Sequence, residues 1–104
     1  MAEPNIVTTD EEIEGFFIVK SILREVIDHK RITHRDAQSY FAILLDDNNR
    51  KTICRLYLGN KKYLVILDEN KKEIKHEITE VDEIYGHADK LTGAVNRLAK
   101  VSQV

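Results

Sequence analysis

Between residues 39 and 78 the chain alternates short apolar runs with turn-forming clusters, and every connection is hairpin-length. A parallel neighbour needs a crossover of a dozen residues or more, so strands joined this tightly must pair antiparallel. The first run, Tyr40-Phe41-Ala42-Ile43-Leu44-Leu45, is continuously apolar and predicts a strand covered on both faces. Asp46-Asp47-Asn48-Asn49 ends it with turn residues. Residues 51–58 then alternate, with Cys54, Leu56 and Leu58 on one face and Ile53, Arg55 and Tyr57 on the other. Gly59-Asn60 signals a tight hairpin before the apolar strand 63–67, and Asp68-Glu69-Asn70-Lys71 turns the chain again. Ile74, His76 and Ile78 alternate with Glu73, Lys75 and Glu77, the pattern of an edge strand with one wet face. A short polar strand over Lys30-Arg31-Ile32-Thr33-His34-Arg35 precedes the set.

Helices flank the strands. Thr9-Asp10-Glu11-Glu12 fits a capping box, and Ile13, Phe16, Phe17, Leu23, Val26 and Ile27 recur at helical spacing, widened by Ile18, Val19 and Ile22. This predicts a first helix over residues 10–28 that is buried around much of its circumference, with Gly15 marking a close backbone approach. Thr79, with Asp82 three residues on, caps a second helix whose stripe is Val81, Ile84, Tyr85, Ala88, Leu91, Val95 and Leu98. The expected fold class is α+β: a largely antiparallel sheet of four to five strands packed with an N-terminal and a C-terminal helix, in the order α-β-β-β-β-α. Residues 1–8 are expected to form a disordered tail, residues 9–100 one domain, and residues 101–104 a frayed end.

A chain of 104 residues has room for one such domain. Its single cysteine, Cys54, sits in an apolar strand and reads as a buried structural thiol, so no internal disulfide is possible. The N-terminus lacks the basic and apolar regions of a signal peptide, and no apolar stretch approaches the roughly 20 residues that span a bilayer. The expectation is a cytoplasmic protein with no membrane partner.

The net charge of −2 is unevenly spread. Residues 1–29 carry two Lys/Arg against seven acids, residues 30–76 eleven against six, and residues 77–104 three against five. A basic middle between acidic flanks suits an anionic partner, although solvated strands and turns account for the same pattern. No Gly-rich phosphate loop or nucleophile elbow is present, and His29, His34, His76 and His87 form no local ligand pair, so no metal site is expected. Arg55 interrupts an apolar strand. Such a residue snorkels to solvent, pairs with an acid such as Asp36 or Asp46, or grips an anion alongside Arg35 and Lys51. Asp46 and Asp47 fit turn chemistry or, as paired carboxylates, a divalent ion.

Two stretches, residues 11–24 (EEIEGFFIVKSILR) and residues 35–56 (RDAQSYFAILLDDNNRKTICRL), resemble the C-terminal domain of bacterial and prophage proteins named type I restriction endonucleases. The likeness runs from about residue 9 to 98. In those proteins a helical region usually precedes the domain, so this chain resembles a module of a longer parent. The resemblance implies a restriction-endonuclease-like, PD-(D/E)xK-type core in which Glu14 stands for the helix acid and Asp36 for the strand Asp. At the acid-x-Lys position stands Ile53-Cys54-Arg55, with Ile where the acid belongs and Arg where the Lys belongs. Without that acid a metal loses a ligand and the attacking water its activator. The resemblance therefore implies a DNA- or RNA-binding domain without cleavage, using Lys30, Arg31, Arg35, Lys51, Arg55, Lys61 and Lys62. Two alternatives stand beside it. One is an interaction module that forms a homo-oligomer. The other is a divergent nuclease using Glu14, Asp36 and Asp46 or Asp47, and only that reading requires Mg²⁺.

Overall fold

The computed structural model describes residues 9–37, 39–68 and 70–102. The tail expected over residues 1–8 and the last two residues lie outside them. Helix α1 (Asp10–Leu23) starts as its capping box dictates: the Glu12 backbone N–H donates to Thr9 Oγ1 at 3.1 Å, and the Thr9 N–H donates to Glu12 Oε1 at 2.9 Å. It stops earlier than the apolar spacing predicts. The Val26 and Ile27 N–H groups both donate to the Leu23 carbonyl, and Asp28 caps a 3₁₀ turn at His29–Arg31 by accepting from the Lys30 N–H. With no Gly or Pro between Leu23 and Asp28, the stop had no breaker residue to announce it. The buried arc is Gly15, Phe16, Ile18, Val19 and Leu23, while Phe17 turns outward and is 58% exposed.

Five strands follow: β1 (Ile32–Asp36), β2 (Phe41–Leu45), β3 (Asn48–Leu58), β4 (Lys62–Leu67) and β5 (Glu73–Ile78). They form one sheet in chain order with every neighbour antiparallel, as the short connections require. β2 is buried along its whole length. Asp46 and Asp47 both take positive φ, 59° and 54°, the left-handed conformation that a two-residue hairpin turn needs and that Asp tolerates. The β3 edge facing β2 then bulges. Leu45 pairs with Asn48, but Leu44 pairs with Thr52 and Ile43 with Cys54. The slip turns Ile53 into the core beside Cys54, where strict alternation had placed it on the opposite face with Arg55.

The chain closes with a 3₁₀ turn (Val81–His87) leading into α2 (Ala88–Ser102), instead of one continuous helix from Thr79. The turn is capped by Glu80 with Glu83 three residues on, one residue later than the expected Thr79–Asp82 pair. Glu83 Oε2 accepts from the Thr79 and Glu80 N–H groups at 2.7 and 2.8 Å, and these two bonds hold its carboxyl below the usual carboxylate range.

Both helices pack on one face of the sheet. Phe16, Val19, Leu23, Ile84, Leu91 and Val95 meet Phe41, Ile43, Cys54, Leu56, Leu64 and Ile66 in a single cluster. Burial drives the Cys54 thiol's pKa far up, so it stays protonated and inert, as its strand position predicts. Gly15 is the close approach it promised to be: a Cβ there would lie 2.6 Å from Cδ1 of the buried Leu56, so that side chain would have to shift to admit it. The other sheet face carries no helix, yet Ala42, Leu44 and Val65 on it are 7%, 1% and 1% exposed. Among the described residues no helix is long and apolar enough to cross a membrane.

Candidate nucleic-acid interface

The antiparallel register sets the chemistry of the helix-free face. Arg35 pairs with Ala42, Ala42 with Arg55, Arg55 with Val65, and Val65 with Lys75. Side chains of such a row all point the same way, so Arg35, Arg55 and Lys75 form a cationic line across the sheet. Neighbouring strands lie about 4.8 Å apart, which puts successive cations roughly 10 Å apart at the backbone. A tyrosine row runs beside it. Tyr57 pairs with Tyr63, and Tyr40, one residue before β2, lies 5.7 Å from Tyr57 between ring centroids. The rows interlock: Arg55 Cζ sits 5.1 Å from the Tyr40 ring centre and Lys75 Nζ 5.4 Å from that of Tyr63.

Where Ala42 leaves a gap between two arginines, a cavity of about 350 Å³ opens. Arg35, Asp36, Tyr40, Asn49 and Arg55 form its walls, and Ala42, Leu44 and Thr52, all buried, form its floor. Arg35 is fixed by two bonds: Nη1 donates to Asn49 Oδ1 at 2.5 Å and Nη2 to Asp47 Oδ1 at 2.9 Å. Arg55 Nη1 donates to Glu73 Oε2 at 2.6 Å. That acid is on β5, two strands away, and was not among the partners the sequence offered. Both carboxylates are exposed, Asp47 64% and Glu73 48%, so each ion pair contributes about 0–1 kcal/mol and can yield to a better anion.

The other basic candidates lie elsewhere. Arg31 makes a bidentate pair with Asp46, Nε to Oδ1 at 2.8 Å and Nη2 to Oδ2 at 2.7 Å, with Lys51 3.9 Å from the same carboxylate. The Arg31 hydrogen bond chiefly holds Asp46 below the usual carboxylate range, helped by the nearby charges of Arg31 and Lys51 and opposed by burial. Lys62 points to the helix side and meets Glu11 at 3.2 Å. Lys61 is exposed in the β3–β4 loop, and Lys30 is exposed in the first 3₁₀ turn.

The acids are equally dispersed. Glu14 lines a depression of about 210 Å³ with Glu11, Thr79, Glu80 and Asp82, Asp36 lines the arginine cavity, and Asp46 sits at the opposite end of the β1–β2 pair. Among the described residues no three His, Cys, Asp or Glu side chains are grouped to hold a metal ion. No protein-family model, curated relative or solved structure matches this chain.

Lys75 and the three tyrosines were not singled out in the sequence. The available signal was parity: Tyr57 is two residues from Arg55 and Tyr63 lies across the hairpin. Lys75 was visible only as part of a wet edge.

A second pairing joins residues far apart in sequence. His76 on β5 and His87 at the end of the second 3₁₀ turn have ring centroids 4.6 Å apart, and His87 Nδ1 is buried without a partner among the described residues. Burial, then the charges of His87 and Lys90, hold His76 below the ordinary imidazole value of 6.5. The unfolded chain then binds more protons than the folded one between the lowered value and about 6.5. Stability is complete above that window and falls as pH drops through it. His76→Gln is expected to flatten this slope in urea midpoints measured from pH 8 to pH 5; parallel curves for the two proteins rule out His76 as its source.

Proposed function

We propose that the helix-free face of the sheet binds single-stranded DNA or RNA without cleaving it. The observation that carries this reading is the pair of rows, Arg35-Arg55-Lys75 beside Tyr40-Tyr57-Tyr63, on one face of the sheet. Guanidinium and ammonium groups attract phosphates, and aromatic rings stack any base because every base has a π-face. Base-edge readout has no comparable support, which favours binding with little sequence preference. A duplex hides its bases, so the tyrosine row favours an unpaired strand. The absence of cleavage finds support at Ile53. Where a metal-dependent nuclease strand presents a carboxylate, this chain buries an Ile in the core.

The test is fluorescence anisotropy of a labelled single-stranded oligonucleotide at several salt concentrations. Three displaced counterions on a single strand give a slope of log K against log salt of about −2, which is roughly a twentyfold loss over a fourfold salt increase. A duplex of equal length should compete poorly. No binding at low salt ends the proposal.

A further inference from the structure

We propose that the cavity between Arg35 and Arg55 is a site for one nucleotide, with the phosphate held between the two guanidiniums and the base lying over the apolar floor beside Tyr40. The choice of ligand rests on the reading of this face as a nucleic-acid surface; the shape and chemistry of the site come from the cavity itself.

The cavity exists because the register sets Ala42, with a single methyl, between two arginines in the same row. Its floor is Ala42, Leu44 and Thr52, all buried, and Tyr40 and Asn49 flank it. A volume of about 350 Å³ lies at the small end of ligand sites, enough for one planar ring with its sugar and too little for two. The charges are arranged to suit an anion. Asp47 and Glu73, which pair with the two arginines, do not line the cavity, and Asn49, which does, also accepts from Arg35. A guanidinium has five N–H donors in a rigid fork, and Glu73 engages one of those of Arg55, which leaves the fork geometry suited to a phosphate. The ring of Tyr40 and the Ala42–Leu44 floor offer stacking and apolar surface, which neither inorganic phosphate nor a simple carboxylate can use. The nucleotide is either the end of a bound strand or a free monophosphate.

The test is a ¹H–¹⁵N NMR titration of the whole chain with adenosine monophosphate, adenosine and inorganic phosphate. Adenosine monophosphate should shift the Ala42, Leu44 and Thr52 amides and the Arg55 Nε–H, and should bind at least about tenfold more tightly than either fragment, as expected when ring and phosphate contacts act together. Ala42→Leu fills the gap and should abolish these shifts; Arg55→Lys, which leaves the cavity floor untouched, should weaken them about tenfold and guards against a folding defect in the first variant. Preference for a 5′-phosphorylated over a 5′-hydroxyl oligonucleotide assigns the site to a strand end, and equal affinity assigns it to the free nucleotide. Nucleotide shifts that map elsewhere, or an Ala42→Leu protein that titrates like the wild type, overturn the site. Oligonucleotide binding with the cavity resonances unmoved by nucleotide also overturns it and leaves the wider face standing. Nucleotide shifts in the cavity with no oligonucleotide binding at low salt uphold the site and remove the face.

Discussion

Phe41→Ala is expected to lower the unfolding free energy by about 3–5 kcal/mol, a large share of the roughly 5–15 kcal/mol that holds a domain of this size. Phe41 is fully buried on β2, paired to Asp36 on one side and Leu56 on the other. Its ring lies 5.0 Å from His34, which stacks on it, and 6.3 Å from Phe16 on α1, edge-on. Deleting it empties the seam between helix and sheet, where the rigid strand backbone on both sides prevents collapse into the gap. Leu44→Ala on the same strand is the informative comparison. Leu44 is buried too, but no helix covers its face, and neighbouring side chains such as Arg55 and Thr52 can move toward the space it leaves. Its loss should fall at the low end of the range for such truncations, about 2 kcal/mol. Urea unfolding read by circular dichroism separates the two, with a lowered midpoint and an unchanged slope in each. A Phe41→Ala loss no larger than that of Leu44→Ala contradicts the placement of the core on the helical side.

Local signals in the sequence were strong where one residue's chemistry decides the backbone. Thr9 and Glu12 make the capping box their spacing announces, the Asp46-Asp47 pair turns the chain, and the alternation of residues 73–78 marks an edge strand. Gly15 announced a close approach and its neighbour proved to be Leu56. What failed depended on partners distant in the chain. The β3 bulge that turns Ile53 inward is a mismatch of register with β2, invisible in either strand alone. The end of α1 at Leu23 depends on Asp28 capping the next turn, against an apolar spacing that continues unbroken. The same holds for the candidate site. Arg55 stood out as a charge in an apolar strand, but its partner Glu73 is 18 residues on, and finding it requires the β3–β4 and β4–β5 registers together. Seven basic residues in one stretch of sequence suggested one surface. The sheet gives its helix-free face Arg35 and Arg55, turns Lys62 toward Glu11 on α1, ties Arg31 to Asp46, and adds Lys75 from a strand read only as an edge.

Arg55→Ala is expected to weaken single-strand binding by about 10- to 100-fold, the scale of one charge-assisted hydrogen bond of about 1.5–3 kcal/mol, and to shrink the salt slope by about 0.7, one counterion's worth. Arg55 occupies the middle of the cationic row, wedged against Tyr40 and lining the cavity, so it contributes charge, stacking surface and geometry at once. Arg55→Lys keeps the charge but loses the planar fork, and should fall between alanine and wild type with the slope unchanged. Glu73→Gln acts in the opposite direction. It frees the guanidinium from its 2.6 Å carboxylate, and since that exposed bridge is worth at most about 1 kcal/mol, the gain in affinity should be no more than about fivefold at low salt. The Arg55 side chain is half-buried and packs against Tyr40, so its removal should also cost about 1–2 kcal/mol of stability, and unfolding of each variant, measured beside binding, separates lost binding from lost fold. Affinity that is unchanged in Arg55→Ala and unimproved in Glu73→Gln would place any nucleic-acid contact away from the helix-free face.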